Sequence, residues 1–161
     1  MGRFRWWNGR VQRFRERLVP GVGPMLAAVL LLPAIYIICL PITSPLIGIA
    51  ASVLVTAIVE VLLVVTAPIV AVQDGQLVAG AARIPVGLTG EAESFRGPEA
   101  TTARGTQLDA RAYTMFRGWV DPVLRVAVTD PDDPVPYWLV STRRPEELRA
   151  AIEAERSAQT A

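Results

Sequence analysis

Glu60 is the one charged residue between positions 21 and 72, and it stands in a strongly apolar run. On an insertion scale, an Asp, Lys or Arg at mid-helix in a membrane costs roughly 2.5–3.5 kcal/mol, and Glu should be comparable. Its short side chain snorkels less far than that of Arg, so it must be protonated, paired or turned toward protein. Gly48, Ser52 and Thr56 precede it at successive steps of four, which puts all four on one narrow helical stripe. Small residues at that spacing let two helices approach closely. One reading is therefore a helix-packing or partner-binding face with Glu60 bonded across it. A sharper reading makes Glu60 a proton-relay or ion-site group. A plainer one leaves it a protonated acid bonded to its own helix. No second acid, Lys or His lies within the apolar stretch, which argues against transport by this chain alone.

The other groups with chemical potential are arginines. Arg10, Arg13, Arg15 and Arg17 interleave with large apolar residues ahead of the apolar stretch, and Arg143 and Arg144 adjoin near the C-terminus. Guanidinium pairs bind phosphate bidentately, so these six are candidate contacts for anionic lipid. The competing readings are a topology signal for the first four and pairing with nearby acids for Arg143 and Arg144. Asp130, Asp132 and Asp133 have the look of a calcium loop, but interleaved prolines and the lack of a Gly or terminal Glu favour a turn. The chain has no His and one Cys, Cys39. Ser-His-Asp and Cys-His catalysis, intrachain disulfides and Cys/His zinc sites are excluded. No cofactor, metal, nucleic acid or small-molecule substrate is expected, and an enzyme is not.

The elements that carry these residues follow from segmental composition. The 161 residues are 52% hydrophobic and 19% charged, with mean hydropathy +0.36. Residues 1–20 carry six Arg against one Glu, residues 21–72 only Glu60, and residues 73–161 ten Arg against thirteen acids. Phe4, Trp7, Val11, Phe14 and Leu18 recur at helical spacing, so the arm over 1–20 is expected to be a basic amphipathic helix at an interface. Domain 21–68 is expected to be a transmembrane hairpin with spans at about 24–42 and 46–67, each close to bilayer thickness. Pro33 should kink the first span, and Pro41-Ile42-Thr43-Ser44-Pro45 should form the turn. A second full span, and no small-x-small cleavage site, speak against a signal peptide. Arginine placement puts both termini in the cytoplasm.

Residues 69–161 change to a period of two. Strands are expected at 69–73, 76–80, 82–86, 88–95, 111–117, 123–129 and 137–142, the first two joined by an Asp74-Gly75 hairpin turn. Residues 96–109 read as a loop and Asp130–Pro136 as a turn. A helix over about 145–157 follows, with Thr142 as a candidate N-cap. Seven strands and a terminal helix is the element order of a pleckstrin-homology-like barrel.

Specific residues carry a resemblance as well. The stretch from Asp130 through Tyr137-Trp138-Leu139-Val140-Ser141-Thr142-Arg143-Arg144-Pro145 to Leu148 resembles the signature of an actinobacterial membrane family, domain of unknown function 3093. Glu16-Arg17-Leu18, Asp74-Gly75, Ala82-Arg83-Ile84-Pro85 and Arg117-Gly118-Trp119 match its other landmarks, over about residues 13–155. The resemblance implies a bacterial plasma-membrane protein with a small β domain, and it brings no catalytic residues. The ending is also similar to that of bacterial pleckstrin-homology-like membrane proteins. The fold expected is thus membrane α + β, a helical hairpin followed by that barrel. The function expected is a non-catalytic membrane adaptor or scaffold. It would associate with the bilayer and with a membrane-protein partner or a second copy. Alternatives are an accessory subunit of a transporter or lipid-processing complex contributing Glu60, and an anionic-lipid sensor.

Overall fold

A computed structural model describes residues 12–160. The elements in order are β1 (Gln12–Arg17), α1 (Val22–Val29), α2 (Leu31–Cys39), α3 (Pro45–Val65), β2 (Ile69–Gln73), β3 (Gln76–Ala79), β4 (Ala82–Pro85), β5 (Thr89–Phe95), α4 (Gly97–Arg104), β6 (Tyr113–Met115), β7 (Val123–Val128), β8 (Tyr137–Ser141) and α5 (Pro145–Thr160). The fold is mixed α and β: two long apolar helical stretches, two sheets and a C-terminal helix. The described chain divides into a helical unit, residues 17–68, and a β unit made of residues 12–16 together with residues 69–160.

The helical unit holds both stretches long and apolar enough to cross a membrane, Val22–Cys39 and Pro45–Val65. The first is interrupted at Leu30, between α1 and α2. Pro33 explains the break: it has no N–H for the Val29 carbonyl, and its ring crowds that carbonyl. The turn closes as Ile42 and Thr43 both donate backbone N–H to Cys39 O, at 3.0 and 2.9 Å. Pro45 then opens α3, where a missing N–H costs nothing. Large apolar side chains such as Ile42, Leu46 and Val22 face outward, each more than 70% exposed. The buried residues of α3 are Gly48, Ser52 and Thr56.

The β unit has the reverse arrangement, with a core that includes Val70, Val72, Leu77, Leu124, Val126, Leu139, Leu148 and Ile152. One sheet runs β1-β2-β3-β4 and the other β5-β7-β8-β6. Asp74 and Gly75 both have positive φ, 51° and 75°, as a type I′ turn requires, and they set the Gln73↔Gln76 register. Gly80, at φ 63°, begins the next tight turn. In the second sheet β5 and β8 flank β7 antiparallel, whereas β6 joins β8 in parallel. All seven strands expected after residue 68 are present.

Three expectations are corrected. Residues 12–17 form a strand, not an amphipathic helix. Phe14, Glu16 and Leu18 are buried while Arg13, Arg15 and Arg17 are exposed, a period of two. Phe14 and Leu18 lie four apart, a separation that shares one face in a helix and in a strand alike. Glu16 between them is what distinguishes the two, because it is buried. Phe4, Trp7 and Val11 lie outside the described residues.

Residues 97–104 of the expected loop form α4. Pro98 and Glu99 occupy its first turn and Arg104 its last, as helix polarity favours. Asp121 accepts from Gly97 N–H at 2.7 Å and from the Arg104 guanidinium at 3.2 Å, holding both ends. Buried Ala100 and Ala103 pack with Val123 and Leu139. Thr142, finally, lies three residues ahead of α5. Its hydroxyl instead accepts from Arg144 N–H at 3.2 Å, closing a local turn.

Candidate functional site

The stripe on α3 is occupied within the helical unit. A Cβ built on Gly48 would stand 3.3 Å from Tyr36 Cδ2 and 3.4 Å from Cys39 Cβ, so the glycine lets α2 approach closely and a larger residue would press its neighbours apart. Ser52 Oγ donates to the Gly48 carbonyl at 2.7 Å. Thr56 Oγ1 is buried and, among the described residues, has no hydrogen-bond partner. Beside the stripe, Leu32, Pro33, Tyr36, Ile49, Ser52 and Val53 line a small apolar cavity of about 240 Å³. Glu60 continues the spacing but is only half-buried. Gly48 and Ser52 therefore lie where α3 meets α2, and Thr56 is buried on the same stripe.

The arginines are similarly distributed. Arg17 Nη2 donates to the carbonyls of Val64 and Val65, both at 3.0 Å, adding a charged donor at the C-terminal end of α3, where the regular helical donors run out. Arg13 pairs with Glu155 of α5. Arg15 is exposed, and Arg10 lies outside the described residues. Arg143 Nη1 stands 3.7 Å from Glu16 Oε1. Arg144 pairs with Glu147 at 3.0 Å, donates to the Arg15 carbonyl at 3.1 Å and stacks over the Phe14 ring at 4.9 Å.

Glu16 organises that corner. Its carboxylate accepts from the Thr142 hydroxyl at 2.5 Å and from the Arg143 N–H at 3.2–3.3 Å. The residue is 8% exposed. A buried carboxylate is tolerable only when charge-assisted hydrogen bonds replace its water, and here β1 supplies the acid while the β8–α5 corner supplies the donors. Arg143 and Arg144 thus have internal anionic and aromatic partners. Asp130 and Asp133 likewise bond their own loop, accepting from Asp132 N–H and Val135 N–H at 3.1 and 3.0 Å. They form a turn, as their prolines suggested.

An open depression of the β unit, about 650 Å³, was not singled out from the sequence. It runs along residues 91–95 of β5, with Glu99 and Thr102 of α4 and Arg149 of α5 on its walls. Five consecutive strand residues line it, so it follows the strand's edge as well as its faces. Among the described residues β5 is an edge strand, with β7 as its one neighbour. On the face carrying Glu91 and Glu93 a second depression of about 250 Å³ includes Arg125 and Tyr137. The Arg125 guanidinium lies over the Phe95 and Tyr137 rings at 4.9 and 5.6 Å and pairs with Glu93. On the other face Ser94 Oγ donates to Glu146 Oε1 at 2.9 Å. Arg149 is held by Glu146 and Glu153 at 4.0 and 3.8 Å. Among the described residues no ion pair reaches Glu91 or Glu99.

The family described as "Protein of unknown function (DUF3093)" matches residues 13–152. The chain belongs to this family. The DUF3093 match opens inside β1 and closes inside α5, so it takes in Glu16, Thr142 and Arg143 together with both apolar helical stretches. It supplies no activity. No curated protein and no solved structure matches the chain.

Proposed function

We propose that this protein is a non-catalytic membrane adaptor. Its helical hairpin spans a bacterial plasma membrane, and its β unit presents a binding surface on the cytoplasmic side. The observation that carries the reading is the inversion between the two units: large apolar side chains face outward along both helical stretches, while those of the β unit face inward. In water an outer surface of that size would be an aggregation patch, and in lipid it is satisfied. Strands β1 and β2, which precede and follow the hairpin, are neighbours in one sheet. That arrangement supports an anchor whose two ends return to the same side, as the arginines ahead of it require. The order of seven strands from β2 to β8 followed by α5 supports a pleckstrin-homology-like β unit. The parallel β6–β8 pair, α4 and the added β1 would be its elaborations.

The test is crosslinking in the native membrane followed by purification in mild detergent. Recovery of a defined partner, dependent on the β unit's surface, is the expected result. Monomer alone, with nothing crosslinked, overturns the proposal. A second reading rests on Glu60, which has no ion-pair partner among the described residues. In that reading the hairpin is an accessory subunit that lends a carboxyl group to a transporter or lipid-processing complex. Glu60→Gln separates the two: unchanged activity of the isolated complex, with assembly intact, eliminates the accessory role. The lipid-sensor reading loses support, because Arg13, Arg17, Arg143 and Arg144 all bond within the protein.

A further inference from the structure

We infer that the outer edge of β5 is a docking groove for an extended basic peptide segment of a partner protein, which adds as a further strand beside residues 91–95. The inference rests on the adaptor reading and names the surface and the chemistry of its partner. Among the described residues β5 pairs with β7 on one side only, so every second residue aims its N–H and C=O toward the groove. Between residues 91 and 95 no other backbone group of the described chain bonds that edge. Unpaired strand edges are templates for an added strand, and main-chain hydrogen bonds supply the affinity of such docking. Five lining residues at about 3.3 Å each give roughly 17 Å of edge, room for a peptide of about five residues. The walls from α4 and α5 leave this length open and do not cover it.

Charge selects the occupant. Glu91 and Glu93 share one face of β5, and Glu99 of α4 lies on the wall beside them. Glu93 already has Arg125, and Arg149 on the wall is held by Glu146 and Glu153, whereas Glu91 and Glu99 have no ion-pair partner among the described residues. In an added strand, alternate side chains fall directly beside those of β5, at cross-strand pairing distance. Arg or Lys at every second position would therefore meet Glu91 and Glu93. The intervening side chains would pass Ala92 and Ser94, whose small size leaves space on the opposite face. The bulge between Thr89 and Ala92 ends regular pairing at the near end. Close packing of Gly90 on Ala127 and Thr129, where a Cβ would come to 3.2 and 3.1 Å, fixes that end in place.

The experiment uses the full chain in detergent and a fluorescein-labelled octapeptide of alternating Arg and Val. Saturable binding by anisotropy is expected, with slowed amide exchange confined to residues 91–95. Glu91→Arg with Glu99→Arg, two exposed substitutions that leave the core untouched, should weaken binding by roughly tenfold or more. A peptide of the same charge, N-methylated at alternate amides, should lose binding, because it cannot complete the ladder. The assignment is overturned if the octapeptide does not bind, if the N-methylated peptide binds equally well, or if protection appears at another edge. It is also overturned if the double variant recovers the native crosslinked partner undiminished, in which case the adaptor reading stands without this groove. Absence of any native partner defeats the adaptor reading and leaves the peptide measurement to decide the groove.

Discussion

The helical unit and the β unit bury opposite kinds of residue. In the first, glycine and hydroxyl side chains fill the narrow contact between helices, and Leu, Ile and Val face out. In the second, Leu, Ile and Val form the core, and the buried acids Glu16 and Glu155 are each matched to cationic or polar donors. The difference teaches that burial energy comes from different sources in the two. With the helical unit in lipid, as proposed, no hydrophobic force favours one helix contact over another, and close approach and hydrogen bonds decide it. In the β unit apolar area removed from water dominates, and each buried charge needs compensation.

The strongest way to break that comparison is at Glu16. Replacing it by Ala orphans the Thr142 hydroxyl and the Arg143 N–H in a buried corner. A loss of roughly 3 kcal/mol in β-unit stability is expected, read from the denaturant midpoint. A loss near zero would mean that water reaches the corner and that the buried acid is not compensated as described. In the helical unit the corresponding position is Gly48. Gly48→Leu drives a side chain into Tyr36 and Cys39, where even a Cβ is tight. Overpacking of this kind costs about 1–3 kcal/mol. Here the readout is the separation of α2 and α3, from a spin-label pair on their outer faces, and it should widen while the β unit's unfolding midpoint stays put.

Tyr113 sharpens the β-unit side. Its hydroxyl donates to the Ala79 carbonyl at 2.9 Å, and its ring contacts Trp138 at 4.6 Å between centroids. Burial raises the phenol's pKa above its ordinary value of 10.0, against a smaller opposing pull from a backbone hydrogen bond at Ala82. A folded pKa above the unfolded one means that the neutral form is favoured by folding. That stabilisation is complete below about pH 10 and disappears as pH rises through the higher folded value. Tyr113→Phe should lose about 1 kcal/mol at neutral pH through the missing hydrogen bond. Its gap from the unmodified protein should narrow above pH 10, followed by unfolding midpoints across pH 8–11. A gap that stays constant would show that the phenol is not buried.

Local chemistry carried most of the fold into view. The Asp74-Gly75 turn, the β-branched runs and the apolar stretches are each decided within a few residues, and they stand where the sequence placed them. What failed was decided at a distance. Glu16 is buried because Thr142 and the Arg143 N–H, some 126 positions away, receive it, and no periodicity within the arm records that. α4 had its signals, Pro98, Glu99 and Arg104, but its apolar face is only Ala100 and Ala103. So small a face passes for a loop until Val123 and Leu139 cover it. The groove was illegible for the same reason. The alternation over 88–95 marks β5 as a strand, but that it sits at an edge follows from β7 pairing with it on one side and β8 lying beyond.

Thr56 gives the finest probe of the difference between the units. The residue is 6% exposed and its hydroxyl has no partner among the described residues, whereas that of Ser52, one turn earlier, is satisfied by the Gly48 carbonyl. A buried hydroxyl without a bond is a cost, so Thr56→Val, which keeps the shape, should stabilise the hairpin by up to about 1 kcal/mol. Ser52→Ala should do the reverse by a similar or smaller amount. Both are read by SDS titration in mixed micelles. If Thr56→Val destabilises instead, the hydroxyl bonds something outside this hairpin, a second copy or another membrane helix. The stripe would then serve contacts between chains as well as within one, and the narrow α2–α3 contact would be only half of its use.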